Sequence, residues 1–278
     1  MPPELFDTAA GALRLALLFF TALALPVTLQ VLLLFGAGIA LLSLAGLAAR
    51  AIVTLLSLVG TPVHELSHAL ASLLTLSRVA VVKLHSDDAG VGFVASQRSN
   101  PLGEIFISLA PTFFGVLVMW LAAVYIIPGF EAPAVHPPQL DLESAASFGA
   151  VFGEISDFLV QFLLATYERL LDLQWDNWRT YVGLYVVLSV GIRIVPSAAD
   201  LKALLWGLPL AALLLFGLFV WLYVSGDALS TFETLQEALW PPLLKFATAV
   251  TTAFALAALG ILVFLPLGLQ EYARRNAE

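Results

Sequence analysis

Apolar side chains fill this chain in long blocks, and the polar positions gather between them. Six blocks stand out: about 11–34, one that ends near 76, then 105–127, 181–196, 203–224 and 241–266. Roughly 20 consecutive apolar residues suffice to cross a bilayer. Backbone placed in hydrocarbon must close its own hydrogen bonds, so such runs are expected to be helices. The stretch 11–76 is too long for two plain spans and short for three. Gly36, Gly38, Gly46 and Arg50 punctuate it. Either the second helix is long, or 36–50 forms a half-helix or re-entrant piece.

The connections have patterns of their own. Residues 79–85 and 91–95 are rich in valine, and Asp87-Asp88-Ala89-Gly90 between them is turn chemistry. This predicts a β-hairpin. Residues 128–143 form a proline-rich loop that contains His136. From 147 to 173 the apolar residues recur at helical spacing. Phe148, Val151, Phe152, Ile155, Phe158, Leu159, Phe162 and Leu163 share one face, and Glu154, Asp157, Gln161, Glu168 and Asp172 the other. The acidic stripe predicts a helix that lies at the membrane interface. No repeat of 20–50 residues is present. The expected fold is an all-α polytopic membrane protein: about six transmembrane helices, a short cytoplasmic β-hairpin and an interfacial amphipathic helix. It forms one membrane-embedded domain over 1–278. Residues 11–127 hold the N-terminal helices and hairpin, 128–180 the extracytoplasmic loop and amphipathic helix, and 181–278 the C-terminal helices.

Composition agrees with the pattern. The 278 residues are 60% hydrophobic and 12% charged, against about 25% charged in soluble domains. The chain has no cysteine, which excludes disulfides and thiolate metal sites. Glu4 and Asp7 stand where a cleaved signal peptide would carry basic residues. The net charge of −8 and the absence of a basic patch exclude nucleic acid as a partner; the lipid bilayer is the expected surroundings. Six spans would place Arg14, Arg78, Lys83, Arg98, Arg193, Lys202, Arg274 and Arg275 on one side, with Arg169, Arg179 and Lys245 on the other. Cytoplasmic loops carry the excess of basic residues. The expected location is therefore the cell membrane, with both termini in the cytoplasm. A third span before residue 76 would put the termini on opposite sides.

One block contains costly residues. "TPVHELSHALASLL", from Thr61 to Leu74, places His64, Glu65 and His68 among apolar neighbours. Residues four apart on a helix share a face, with Cβ atoms about 5–6 Å apart. Two such imidazoles can hold one zinc ion, and Glu65 is placed to act as a base on water. This is the HExxH arrangement of zinc proteases. The bland alternative is a pair of core histidines with a bonded glutamate. Within a membrane span, ionisable groups point by default to function. The motif lies about nine residues before the end of its span, hence ~13 Å deep.

Catalytic zinc takes three protein ligands and leaves one position open. In "GIRIVPSAADLKALLWG", Pro196 ends the fourth block and Asp200 follows it. Asp200 is thus the candidate third ligand, although aspartate is also a favoured helix cap. His85, Asp87 and Asp88 lie on the predicted turn, and His136 falls on the far side. Arg193 and Asn100 are candidate oxyanion donors; Arg193 could equally snorkel to the interface.

"HELSHA" followed by an apolar helix that ends in "PSAADLK" resembles the site-2 protease family of intramembrane zinc metalloproteases, in its short prokaryotic branch without a PDZ domain. The resemblance covers roughly 53–205. It implies that His64, His68 and Asp200 bind Zn2+, that Glu65 is the catalytic base, and that the substrate is a membrane protein. The family's later motif commonly ends in Leu-Asp-Gly, whereas here Leu201 and Lys202 follow Asp200. The resemblance also implies that an edge strand, here in 79–95, receives the unwound substrate by strand addition. The implied function is zinc-dependent cleavage of peptide bonds within or near transmembrane segments. Two other classes compete. One is a non-proteolytic scaffold or client-binding membrane protein. The other is a divalent metal transporter that uses the same three residues.

Overall fold

Where the sequence is apolar the chain coils on itself, and its prolines and glycines interrupt the coil in some places and not in others. The computed structural model describes residues 25–48, 50–84, 93–96, 101–133, 148–194, 217–218, 220–221, 224–225 and 228–277. In chain order the elements are α1 (Leu25–Ala48), α2 (Arg50–Ser57), α3 (Gly60–Leu74), β1 (Val79–Lys83), β2 (Phe93–Ser96), α4 (Pro101–Ile126), α5 (Phe148–Leu171), α6 (Trp178–Gly191) and α7 (Ala228–Ala277). Among the described residues, three helical stretches are long and apolar enough to cross a membrane: Gln30–Leu47, Gly103–Ile126 and Glu237–Arg274.

The N-terminal region corrects the sequence expectation. The first apolar helix does not stop at 34, and 36–50 is no half-helix. One continuous helix runs through Leu25–Ala48 and contains all three glycines. Those glycines lie among leucine and alanine, with no proline to remove a donor. Gly38 serves close packing, since a Cβ there would come within 3.3 Å of the Ile192 Cα. Residues 11–24 lie outside the described residues.

The motif-bearing stretch is not one long helix either. It divides into α2, eight residues, and α3, fifteen residues. Pro62 explains the division. It has no N–H to give to the Leu58 carbonyl four residues back. The orphan donors at the start of α3 find a partner on another helix: the Val59 and Gly60 N–H groups donate to Ser189 Oγ of α6, at 3.2 and 3.1 Å. At its far end α3 closes with paired reversals, Ser77 N–H to the Ser72 carbonyl and Leu76 N–H to the Leu73 carbonyl. Leu76 there adopts φ 56°, the left-handed conformation usual for glycine in this motif.

The strands β1 and β2 pair antiparallel, with Val81 opposite Ala95 and Lys83 opposite Phe93, and the register shifts between Val79 and Val81. Their connection, with His85, Asp87 and Asp88, lies outside the described residues. So do 203–216, most of the expected fifth span. The fourth block is helical over Trp178–Gly191, fourteen residues, and stops before Pro196. The last block also exceeds expectation. Rather than running from 241 to 266, α7 is a 50-residue helix that passes through Pro241, Pro242 and Pro266. Proline is tolerated in such helices where neighbours compensate, and α7 lies along α1. The amphipathic helix forms over Phe148–Leu171. It buries Phe158 and Phe162 against Trp240, Leu244 and Ala247 of α7, and its acidic stripe is exposed.

The largest buried cluster draws Leu34 from α1, Met119 and Ala123 from α4, Val187 and Val190 from α6, and Val250 and Ala253 from α7. Helix α3 leans on the side of this cluster, against α4 and α6. Gly60 sets that approach: a Cβ would overlap the Ser189 carbonyl oxygen and come within 2.9 Å of Arg193 Cβ. Gly60→Ala is therefore expected to cost about 1–3 kcal/mol, the range for overpacking. The thermal unfolding midpoint of the purified protein in detergent should fall accordingly. An unchanged midpoint would mean that α3 and α6 do not approach this closely.

Candidate metal centre

Helix α3 presents His64 and His68 on one face. Their ring centroids lie 4.9 Å apart, with planes crossed at 79°. The two Nε2 atoms face each other at 3.2 Å. Each ring is fixed from behind. His64 Nδ1 lies 2.6 Å from the backbone oxygen of Arg193, and His68 Nδ1 lies 2.9 Å from that of Ile107.

Both carbonyls are free for local reasons. Ile107 stands four residues before Pro111, inside α4. Its oxygen would normally receive the N–H of residue 111, which proline lacks. The Arg193 oxygen lies just past the end of α6, where carbonyls have no helical partner.

A carbonyl only accepts, so each Nδ1 must carry the proton. In a neutral imidazole the other nitrogen is then a bare lone pair. The two Nε2 atoms thus stand 3.2 Å apart on the sides of the rings away from the carbonyls, a spacing that two ligands of one ion would also show. Two imidazole ligands of a tetrahedral zinc, each at about 2.0–2.1 Å, stand roughly 3.3 Å apart. Ligand histidines characteristically donate their second N–H to a carbonyl or carboxylate. Spacing, tautomer and backing all fit a metal of this type.

Glu65 is 7% exposed, packed inside rather than solvated. Its charge acts on the Arg193 guanidinium. Arg193 is itself clamped: Nε and Nη2 donate to Ser57 Oγ at 3.0 and 2.8 Å. Thr112 Oγ1 donates to the Ile194 oxygen at 3.1 Å and ties α4 to the same corner. The strands β1 and β2 pack against α3.

Among the described residues, no group of three His, Cys, Asp or Glu side chains converges to hold a metal. The structure brings His64 and His68 together, with Glu65 beside them. Asp200, His136 and Asn100 lie outside the described residues, as do His85, Asp87 and Asp88 of the expected turn. Sequence reasoning missed Ile107, Ser57, Ser189 and Tyr185. The available signals were a proline inside an apolar helix, at 111, and a polar stripe at 185, 189 and 193, each four residues after the last.

Residues 34–128 match a family model described as Peptidase M50B-like. The matched part runs from α1 through α4, and so includes the histidine pair and Ile107. The match is consistent with the site-2 protease-like resemblance of the motif, and it points to a membrane metallopeptidase type of function. No curated protein and no solved structure matches the chain.

The role of Pro111 gives a test with two signs. Pro111→Ala supplies an N–H to the Ile107 carbonyl, which then competes with His68. Metal affinity should fall about tenfold, the lower end of losses from removing a ligand's backing, while the unfolding midpoint holds or rises. Unaltered metal affinity in isothermal titration would remove Pro111 from this account.

Proposed function

We propose that the chain is an intramembrane zinc-dependent endopeptidase, acting on peptide bonds within or near transmembrane segments of membrane-protein substrates. One observation carries the reading: the two Nε2 atoms face each other at 3.2 Å, and each ring is held by a backbone carbonyl of a different helical segment. The family match over 34–128 supports it.

His64 and His68 would hold the ion, with Asp200 as the third ligand. Asp200 follows Arg193 by seven residues, and the Arg193 carbonyl already touches the His64 ring. An extended chain reaches about 3.3–3.6 Å per residue, so the segment is long enough to return to the site. Bound zinc would polarise a carbonyl and make water acidic near neutral pH. Glu65, buried beside the pair, accepts the proton of the attacking water and returns it to the leaving amine. The β1–β2 strands, packed on α3, would receive an unwound substrate segment by strand addition. The protein would sit in the cell membrane as a multi-pass chain with both termini cytoplasmic.

Glu65→Gln keeps both histidines and removes the base. It should bind zinc like wild type and cleave a membrane-helix substrate about 10²–10⁴-fold more slowly, the usual contribution of a positioned acid–base group. His64→Ala and Asp200→Ala should lose the metal itself, measured on purified protein. Equal cleavage by wild type and Glu65→Gln would sink the peptidase reading, and metal uptake into proteoliposomes without any cleavage would replace it with transport.

A further inference from the structure

We propose that Arg193 is a positioning residue of this centre: clamped by Ser57 through its guanidinium, it holds the His64 ring through its backbone carbonyl. The proposal deepens the peptidase reading and rests on it.

An arginine at the end of an apolar helix ordinarily extends its head group to water. Arg193 instead turns inward, and two of its five N–H donors go to Ser57 Oγ. Ser57 is fully buried, so the clamp lies inside the bundle. The Arg193 oxygen is at the same time 2.6 Å from His64 Nδ1. Glu65 acts electrostatically on the guanidinium from the next position on α3. One residue of α6's end thus touches or influences α2, the first ligand and the base. A buried carboxylate is costly without a countercharge, and Arg193 supplies one that stays in place because Ser57 fixes it.

The rest of the α6 stripe holds the same junction. Tyr185 Oη donates to the Leu55 oxygen of α2 at 2.6 Å. Ser189 Oγ accepts from Val59 and Gly60 at the α2–α3 break. The three contacts at 185, 189 and 193 follow one helical face. They register α6 against both halves of the interrupted helix, with Arg193 nearest the metal ligands. With two donors committed to Ser57, the side chain anchors its own backbone, and so the carbonyl that holds His64, against α2.

The test uses the full chain in detergent, with Ser57→Ala, Arg193→Lys, Arg193→Gln and the double variant Ser57→Ala/Arg193→Gln. Zinc affinity, zinc stoichiometry at saturation, the unfolding midpoint, kcat and KM are read for each. One zinc should still be filled at saturation throughout. Affinity should fall about tenfold in Arg193→Gln, less in Ser57→Ala, with Arg193→Lys recovering part of the loss. The kcat should drop about 10–100-fold in Arg193→Gln with KM within about twofold, as expected for a group that acts on the reacting centre rather than on substrate binding. The double variant should be no worse than Arg193→Gln, because both changes break one unit. Wild-type zinc affinity in both Arg193→Gln and Ser57→Ala overturns the proposal, whether or not the protein cleaves anything. So does a loss that merely tracks a lowered unfolding midpoint. A wild-type chain that shows these zinc effects but cleaves no membrane helix upholds the positioning role and defeats the peptidase reading alone.

Discussion

The centre of this structure depends on two hydrogen bonds to backbone oxygens. Each histidine of the pair gives its Nδ1 proton to a carbonyl that its own helix cannot use. This decides the tautomer, and the tautomer turns both Nε2 lone pairs toward one point. The donors of the pair come from one helix, α3, but the acceptors come from two other places, α4 and the end of α6. The site therefore exists only where three helical segments meet in a fixed register.

Holding that register is harder in a membrane than in water. Lipid tails are as apolar as leucine, so burying leucine between helices supplies little drive. Close backbone approach and polar contacts must do the joining. Gly60 gives the first, with no room for a side chain against Ser189. The stripe Tyr185, Ser189 and Arg193 gives the second, each residue satisfying a group at the α2–α3 interruption. The interruption is thus useful. An unbroken helix would have no free N–H at 59 and 60 for Ser189 to accept from, and its register against α6 would rest on packing alone.

The sequence displayed the histidine pair but not its supports. His64, Glu65 and His68 were legible because ionisable side chains in an apolar block need a reason, and their i, i+1, i+4 spacing supplies one. The apolar blocks near 105–127 and the helix at 147–173 were also legible from their periodicity and length. The division near residue 58 and the continuous helix over Leu25–Ala48 were not. Glycines were read as breaks, although Gly38 is a contact with Ile192. Pro62 removes a donor needed for continuity, a break that the apolar run around it conceals. Prolines were likewise read as ends at 241 and 266, where α7 carries through them. Whether a proline or glycine ends a helix depends on what lies alongside, and a single chain of letters does not show neighbours. The carbonyl of Ile107 was signalled only by Pro111, and that of Arg193 by nothing in the letters: every residue has one, and the fold decides which of them faces a histidine.

The same supports bear on what the pair is built to do. A transport site must let its ion go, so its ligands need a second arrangement of similar energy. Here each ring would have to break a hydrogen bond to a different segment before it could turn. The carbonyls so released are part-buried, and leaving a buried acceptor without its bond costs about 1–3 kcal/mol. Glu65 adds to the argument. Transit of an ion across two imidazoles requires no carboxylate at the next position, and burying one there carries its own penalty. A fixed ion with a buried carboxylate beside it is an arrangement suited to activating water in place. The rigidity of the histidine pair and the position of Glu65 therefore favour catalysis over passage.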